Sequence, residues 1–250
     1  MQEITSVSNN LVKETVKLQQ KKYRDKANKF LLEGRKCVEE AFDAGLELEN
    51  VFVLKEKAEH YSFLKDKLIL TNDVVLKKIA TTDSAPEIVA VAHKKNYSIK
   101  DLKNSKKVVL LENIKDLGNL GTILRTSVAF GADAVVLYGK ECADLYNSKC
   151  VRSAVGNLWK IPVVYIAELS ELKMIFEKYE RIATLPKSIN FLKSCKINGN
   201  VLVMFGSEAD GLSDELIDFS NKSVKIEMAT NVESLNLSVS CAVVLYELFV

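Results

Sequence analysis

The polar side chains with the clearest chemical arrangement follow an apolar run near the middle of the chain. Residues 108–111 are continuously apolar, as in a strand buried on both faces. The helical period after them places Asn119, Thr122, Arg125 and Thr126 on one side. Ligands of open α/β sheets bind beside the carboxyl ends of strands, so this helix face is a candidate binding site. By pattern alone, an exposed arginine is more often a solvated charge, and that alternative stays open.

The other side of the same helix is apolar and completes a β-α-β unit. Its members share the spacing of one helix face: Leu120, Ile123, Leu124, Ser127 and Val128. Gly131 can end the helix, and residues 134–137 form a second strand. Gly118 and Gly121 do not have the G-x-G-x-x-G spacing of a dinucleotide fingerprint. A generic nucleotide-binding oxidoreductase is therefore disfavoured.

A second polar loop follows another apolar strand. Residues 201–205 end at Gly206, Glu208 lies in the loop, Gly211 turns the chain and Ser213 can cap a helix. The loop would present backbone groups and one carboxylate at the carboxyl end of the strand. Many α/β loops have this composition, so the loop alone specifies no function.

A third stretch carries hydroxyl and amide side chains close to the C-terminus. Ser234 and Asn236 precede a nearly continuous apolar segment. The alternation over residues 235–241 is typical of a strand, whereas the residues that follow fit either state. The periodicity leaves helix and strand open here.

The surrounding pattern predicts two α/β domains separated by a polar linker. We assign residues 1–95 to the first domain, 96–106 to the linker and 107–250 to the second domain. In the first domain we expect strands at 30–32, 51–54, 68–70 and 88–91, and helices at 9–26, 35–44, 58–67 and 72–80, with Ser8 as the first cap. In the second we expect strands at 107–111, 134–137, 162–166, 181–185, 201–205 and 224–227, and helices near 119–130, 144–152, 169–179, 213–218 and 235–248.

The charge is unevenly distributed, although the formal net charge is only +2. Residues 1–29 hold seven Lys/Arg against three acids, and residues 101–250 hold 17 against 18. A basic N-terminal segment on a neutral body permits contact with a polyanion. By charge alone, an ordinary solvated helix is the favoured alternative.

Cysteine and histidine usage argues against a metal site. The five cysteines have no C-x-x-C spacing and there are two histidines, so a zinc site is not expected. Free thiols suit a reducing compartment, and we expect a cytoplasmic protein. No signal peptide is visible, and the C-terminal apolar run is too short and too interrupted to span a bilayer.

Taken in this order, the three polar stretches resemble the SpoU (TrmH) family of the SPOUT class, which are RNA ribose 2′-O-methyltransferases. The stretches that resemble its three motifs are residues 119–126, 206–212 and 234–240. Residues 30–41 resemble the substrate-binding domain of ribosomal-protein L30e type that precedes many of these enzymes, and residues 8–13 resemble its entry. The family folds the third motif as a helix, which replaces the strand that the alternation indicates.

The resemblance implies the architecture and the cofactor. It implies an α/β SPOUT domain with a deep trefoil knot, which general topology rules would not suggest. It also implies a homodimer in which the neighbouring subunit completes each site, and bound S-adenosylmethionine. The expected cofactor contacts are Thr184, Leu185, Gly206, Ile226, Met228 and Leu235.

The resemblance also assigns the catalytic residues. Arg125 is the candidate that acts on the ribose, Asn119 and Glu208 orient it and the cofactor, and Ser234 and Asn236 hold the loops of the site. An arginine is a poor base at neutral pH, because its pKa lies above about 12. We therefore favour a role for Arg125 in holding the substrate phosphate and steering the 2′-oxygen over a role as proton acceptor.

Two positions depart from the family pattern, and the RNA species stays open. Glu227 stands where the family usually has proline, and residues 85–88 differ from its usual turn after Pro86. The appended first domain favours ribosomal RNA of the 23S type over transfer RNA. A catalytically silent RNA-binding protein of ribosome assembly is the alternative from another class, and the intact Asn119, Arg125, Glu208 and Asn236 argue against it.

Overall fold

The apolar strands form two separate β-sheets, and helices alternate with them along the chain. The computed structural model describes residues 2–250, and two compact units are resolved within them. The first unit contains the described residues up to Lys95 together with Asp144–Trp159. The second contains Asn96–Ala143 and Lys160–Val250.

The first unit has a mixed sheet of short apolar strands. Its elements are β1 (Gln2–Glu3), α1 (Asn10–Lys17), α2 (Lys21–Ala27), β2 (Lys29–Glu33), α3 (Arg35–Asp43), β3 (Leu48–Leu54), β4 (Leu68–Thr71), α4 (Asp73–Ile79) and β5 (Ile88–His93). Within the described chain the strand order is β1-β4-β3-β5-β2, with β5 antiparallel to both β2 and β3. The core includes fully buried Phe30, Phe52 and Leu76.

The second unit has a parallel sheet. After β5 the elements are β6 (Lys107–Glu112), α5 (Leu117–Ala129), β7 (Ala134–Tyr138), α6 (Ser148–Ala154), β8 (Val163–Ile166), α7 (Leu169–Phe176), β9 (Glu180–Thr184), β10 (Val201–Phe205), α8 (Asp214–Phe219), β11 (Lys222–Val224) and α9 (Leu237–Phe249). All of these except α6 belong to the second unit. The order is β11-β9-β10-β6-β7-β8 within the described residues. Every pairing is parallel, so the carboxyl ends of the strands share one edge.

The strands and helices predicted for the second half are confirmed, with bounds that differ by a few residues. The sequence identifies these elements well because the strands of a sheet covered on both faces are continuous apolar runs. β6, β7 and β10 are buried over almost their whole length. The predicted helix faces of α5 are also confirmed, since Leu120, Ile123 and Leu124 are buried.

The predicted single helix over residues 9–26 is wrong, because the helix is interrupted between α1 and α2. The Gln19 side-chain amide donates to the carbonyl of Ile79 at 2.9 Å, which caps the end of α4. Arg24 Nη1 donates to the carbonyls of Leu18 at 2.8 Å and Gln19 at 2.7 Å, groups that a continuous helix would bond to its own N–H groups. The N-cap is Asn9 and not Ser8, since Asn9 Oδ1 accepts from the N–H of Leu11 at 2.8 Å.

The α-helix predicted over residues 58–67 is a 3₁₀ helix, Lys55–Lys67. Its buried residues Ala58, Tyr61 and Leu64 recur every third position, which matches three residues per turn. The backbone leaves helical geometry at Tyr61 and Lys65. The hydroxyl of Tyr61 donates to Glu87, which fixes the ring inside the unit.

The strand that the alternation indicated over residues 235–241 is also wrong, and the family resemblance is right at this point. α9 begins after Asn236, whose Oδ1 accepts from the N–H groups of Ser238 at 2.9 Å and Val239 at 3.4 Å. Cys241, Val244 and Leu245 then face inward at helical spacing. The cap decides the state, and the apolar alternation in the first turn is coincidental.

The segment Asp144–Trp159, which lies between β7 and β8 in the chain, packs within the first unit. Arg24 Nη2 lies 2.5 Å from Asp144 Oδ2, and both side chains are largely shielded from solvent. Arg152 pairs with buried Glu33 at 3.2 Å. The indole N–H of Trp159 donates to the carbonyl of Glu40 at 3.3 Å. Sequence periodicity gave no sign of this association.

The polar residues 96–106 contain one short 3₁₀ helix, Ile99–Leu102. A reciprocal capping box between Ser98 and Asp101 starts it, and Leu102 is fully buried.

No helix in residues 2–250 is both long enough and apolar enough to cross a membrane.

Candidate functional site

The first turn of α5 is held at the carboxyl end of β6 by a side-chain cap. Asp116 Oδ1 accepts from the N–H of Asn119 at 2.7 Å. The hydroxyl of Thr122 donates to the carbonyl of Gly118 at 2.8 Å. The sequence analysis did not single out Asp116. Aspartate is a common N-cap residue, and its side chain accepts from the N–H two or three residues later.

Three of the predicted site residues are brought together by hydrogen bonds. Asn119 Nδ2 donates to Glu208 Oε1 at 2.9 Å. Asn236 Nδ2 donates to Asn119 Oδ1 at 3.2 Å. These side chains come from α5, from the loop after β10 and from the cap of α9, so one network ties together the three polar stretches.

The loop that carries Glu208 is closed on itself. Ser207 and Gly211 exchange two backbone hydrogen bonds, each of 3.1 Å. A Cβ at Gly206 would lie 1.9 Å from the carbonyl carbon of Gly211, so only glycine fits there. Glu208 is left exposed at the tip, where it meets Asn119.

A buried carboxylate supports the end of that loop. Glu112, the last residue of β6, is 6% exposed and accepts from the N–H of Ser213 at 2.8 Å. Ser213 is the N-cap of α8, as predicted. Tyr138 donates its hydroxyl to Glu215, and burial raises the pKa of this phenol, which keeps it a donor. The sequence analysis did not single out Glu112, although an acid at the end of an apolar strand is a signal that could have identified it.

The predicted cofactor residues lie at the carboxyl ends of adjacent strands and at the start of α9. The hydroxyl of Thr184, at the end of β9, donates to the carbonyl of Met204 at 2.8 Å. The N–H of Leu185 donates to the carbonyl of Val224 at 2.9 Å, which ties the ends of β9 and β11 together. Ile226 and Met228 are half-buried in the segment after β11. Leu235 is 37% exposed, immediately before the cap of α9.

The chain between β9 and β10 runs beside the segment after β11. The N–H of Leu192 donates to the carbonyl of Lys225 at 2.9 Å, and the N–H of Lys225 donates to the carbonyl of Asn190 at 2.9 Å. The ammonium of Lys225 lies 4.8 Å from the centroid of the Phe191 ring. These contacts hold the segment after β11, which carries Ile226 and Met228, against the sheet edge.

Arg125 and Ser234 do not join the network. Both are exposed, and no hydrogen bond or ion pair is found for either side chain within residues 2–250. Arg125 lies six residues after Asn119, which is about 9 Å along the helix axis. Its guanidinium is therefore presented to solvent beside the network.

The set of residues at this edge suits a small ligand that has both apolar and polar parts. Half-buried Leu185, Ile226 and Met228 offer apolar surface, and the loop at Gly206 brings backbone amide groups to the same edge. Pockets for small molecules combine mainly apolar walls with a few fixed polar groups, and this edge has both. In the described part of the chain no group of three or more His, Cys, Asp or Glu side chains is arranged to hold a metal ion.

A parallel α/β sheet with an Asn–Glu–Asn network at its carboxyl edge, preceded by a smaller mixed domain, defines an RNA methyltransferase of the SpoU class. The chain belongs to the SpoU rRNA methylase family, whose model matches residues 106–246. Residues 9–90 match the MRM3-like substrate-binding domain.

Relatives of similar length are known. The chain is 32% identical to an uncharacterized tRNA/rRNA methyltransferase of Synechocystis sp., over 98% of this chain and 92% of that one. It is 31% identical to the 23S rRNA (guanosine(2553)-2′-O)-methyltransferase RlmP of Bacillus subtilis, over 99% of each. Among solved structures, the AdoMet-bound rRNA methyltransferase from Sinorhizobium meliloti superposes with a TM-score of 0.88 at 26% identity, over 98% of this chain and 96% of that one.

Proposed function

We propose that this protein transfers a methyl group from S-adenosylmethionine to a ribose 2′-hydroxyl of ribosomal RNA of the 23S type. The observation that carries the proposal is the hydrogen-bonded network of Asn119, Glu208 and Asn236 at the carboxyl edge of the sheet. The B. subtilis relative, which matches along its whole length, is named for 2′-O-methylation of 23S rRNA.

The cofactor is proposed to lie against the ends of β9, β10 and β11. Thr184, Leu185, Gly206, Ile226, Met228 and Leu235 would hold it. When bound, S-adenosylmethionine supplies a methyl group already activated on a sulfonium. The remaining task of the protein is to align the 2′-oxygen and to assist loss of its proton.

Arg125 is proposed to hold the RNA at this site. Its guanidinium is exposed and has no protein partner in the described residues, so it is free to bind a substrate phosphate through two N–H groups. Asn119 and Glu208 would fix the helix and loop on which the substrate rests. Ser234 and Asn236 would hold the segment that enters α9.

The two halves of the chain are proposed to divide the work. Residues 1–95 would bind RNA, residues 96–106 would link the domains, and residues 107–250 would carry out methyl transfer. The basic segment up to Lys29 supports the first assignment, because phosphate contacts dominate RNA affinity. The affinity of the first domain for RNA should therefore fall steeply as the salt concentration rises.

A homodimer formed through the second domain is also proposed. α9 carries an exposed apolar stripe with helical spacing: Val239 (48% exposed), Val243 (40%), Tyr246 (59%) and Val250 (81%). A second copy of this face would cover the stripe next to Asn236. Val243→Asp should give a monomer by sedimentation, whereas a control variant Val74→Asp, at a valine of the first unit that is 64% exposed, should leave the dimer intact.

The test of the function is methyl transfer to ribosomal RNA from a strain that lacks the gene. The purified protein with labelled S-adenosylmethionine should label that RNA and leave RNA from the complemented strain unlabelled. The modified position should resist alkaline cleavage, which identifies a 2′-O-methyl group. Label on a base, or on transfer RNA alone, would contradict the proposal.

The enzyme is expected in the cytoplasm with its substrate.

A further inference from the structure

The first unit contains a groove whose lining suits an unpaired nucleotide. The groove has a volume of about 520 Å³ and lies beside α1, α2 and the strands β2, β3 and β5. Leu18 and Val91 are buried at its floor, and the half-buried ring of Tyr23 lines it. Lys17, Lys26 and Lys29 line it as well. We refer to it as the Tyr23 groove.

Two ammonium groups lie over the tyrosine ring, at the outer limit of cation–π distance. Lys17 Nζ is 5.9 Å and Lys22 Nζ is 6.0 Å from the ring centroid of Tyr23. An aromatic side chain flanked by cations is the arrangement that binds single-stranded nucleic acid, where a base stacks on the ring and its phosphates meet the lysines.

The charge in the groove favours an anion. Lys17 pairs with Glu14 at 2.6 Å, and Lys29 pairs with Glu49, so both glutamates that line the groove are neutralised by lysines. Within residues 2–250 no carboxylate lies within ion-pair distance of Lys22 or Lys26. These two cations are left to meet phosphate groups.

We propose that the Tyr23 groove binds one unpaired nucleotide of the RNA substrate, with its base on Tyr23 and its backbone on Lys22 and Lys26. The inference rests on the proposed function, because it takes RNA as the substrate. A base-paired helix keeps its bases stacked on one another and cannot offer a free base face to the ring. The groove would therefore select a loop, a bulge or a single-stranded end.

The experiment compares binding of two labelled probes by the full chain, a single-stranded ten-nucleotide RNA and the same sequence in a perfect duplex. Tyr23→Leu keeps apolar bulk but removes the stacking surface, and Tyr23→Phe keeps that surface. Tyr23→Leu should weaken single-strand binding by about fivefold to 150-fold, the range for the loss of one stacked base. It should leave duplex binding unchanged, and Tyr23→Phe should bind like the wild type.

A matched pair of lysine variants tests the backbone contact. Lys26→Ala should reduce the slope of log affinity against log salt by about one. Lys77→Ala, an equally exposed helix lysine of the same unit outside the groove, should leave the slope unchanged. Unchanged single-strand affinity of a folded Tyr23→Leu, or equal losses for both probes, would overturn the proposal.

Steady-state kinetics of methyl transfer distinguish a failure of this proposal from a failure of the proposed function. At saturating RNA the Tyr23→Leu variant should have a normal kcat and a raised KM, since the groove belongs to the first unit and the residues proposed for methyl transfer belong to the second. If the wild type methylated no RNA, the proposed function would fail, while the binding comparison would still decide whether the groove takes a nucleotide.

Discussion

The side-chain amide of Asn119 donates to the carboxylate of Glu208 across 2.9 Å, although the two residues lie 89 positions apart. The contact arises because β6 and β10 are neighbouring parallel strands. Asn119 lies in the first turn of the helix after β6, and Glu208 lies in the loop after β10, so both reach the same edge. Asn236 adds its amide to Asn119 from the cap of α9.

Replacing Asn119 by aspartate should move the loop that carries Glu208 away from α5. Asn119→Asp would place two carboxylates at hydrogen-bond distance, and like charges repel there. A displacement of about 1 Å at a reacting site can cost about 100-fold in rate, so we expect transfer to fall by about that factor. Glu208→Gln keeps an acceptor oxygen and should cost much less. Single-turnover rates decide, and near-normal transfer by a folded Asn119→Asp would show that the network does not position the site.

Removing one partner of the buried pair of Arg24 and Asp144 should strongly destabilise the first unit. Arg24→Met leaves Asp144 without its partner, which should cost about 3–5 kcal/mol. Lys21→Met removes the exposed pair with Asp25 and should cost at most about 1 kcal/mol. Urea denaturation followed by Trp159 fluorescence measures both, because Trp159 is the single tryptophan and lies in this unit.

The double variant Arg24→Met with Asp144→Leu completes the cycle. It removes the unpaired charge, so it should regain much of the stability lost in Arg24→Met. Equal stabilities of Arg24→Met and Lys21→Met would contradict the structural account of the segment Asp144–Trp159.

The thiols should divide into a protected and an accessible group. Burial raises the pKa of Cys37 to about 11 and of Cys150 to about 12, and it raises the pKa of Cys241 as well. A raised pKa lowers the thiolate fraction at pH 8, and only the thiolate reacts. Burial raises the pKa of Cys142 and of Cys195 as well, but these two thiols are partly exposed, so a disulfide reagent at pH 8 should modify them before the three buried thiols.

All five thiols should react once the protein is denatured. Mass mapping of the labelled peptides identifies the sites. Rapid native labelling of Cys241, which lies inside α9, would show that the helix opens far more often than its packing implies.

The sequence predicts the parts of this structure in which local pattern and burial agree. Buried strands such as β6 and β10 are continuous apolar runs, and their order in the chain explains why Asn119 and Glu208 meet. Long-range contacts explain the failures. The first helix breaks because Gln19 and Arg24 bond to groups that no local pattern specifies.

Other features could not come from periodicity at all. The return of Asp144–Trp159 to the first unit depends on the pairing of Arg24 with Asp144, which are 120 residues apart. The state of α9 is decided by the Asn236 cap, which the family resemblance anticipated and the alternation did not. The trefoil knot and the roles of Arg125 and Ser234 come from that resemblance alone and stay predictions.

Arg125 is proposed to act on the RNA and not on the cofactor. It is exposed on the polar side of α5, beside the network but outside it. Arg125→Ala should therefore leave the affinity for S-adenosylmethionine nearly unchanged while methyl transfer collapses. Arg125→Lys should rescue little, because an ammonium cannot make the two-pronged contact of a guanidinium. A solvated surface arginine would instead change stability by at most about 0.5 kcal/mol and leave activity intact.

The most direct measurement is single-turnover methyl transfer to ribosomal RNA by the wild type, Arg125→Ala and Arg125→Lys, with cofactor affinity measured in parallel by calorimetry. We expect unchanged cofactor affinity for all three proteins and a loss of transfer of about 100-fold or more in both variants. Near-normal transfer by Arg125→Ala would contradict this role and would show that Arg125 is an ordinary solvated arginine.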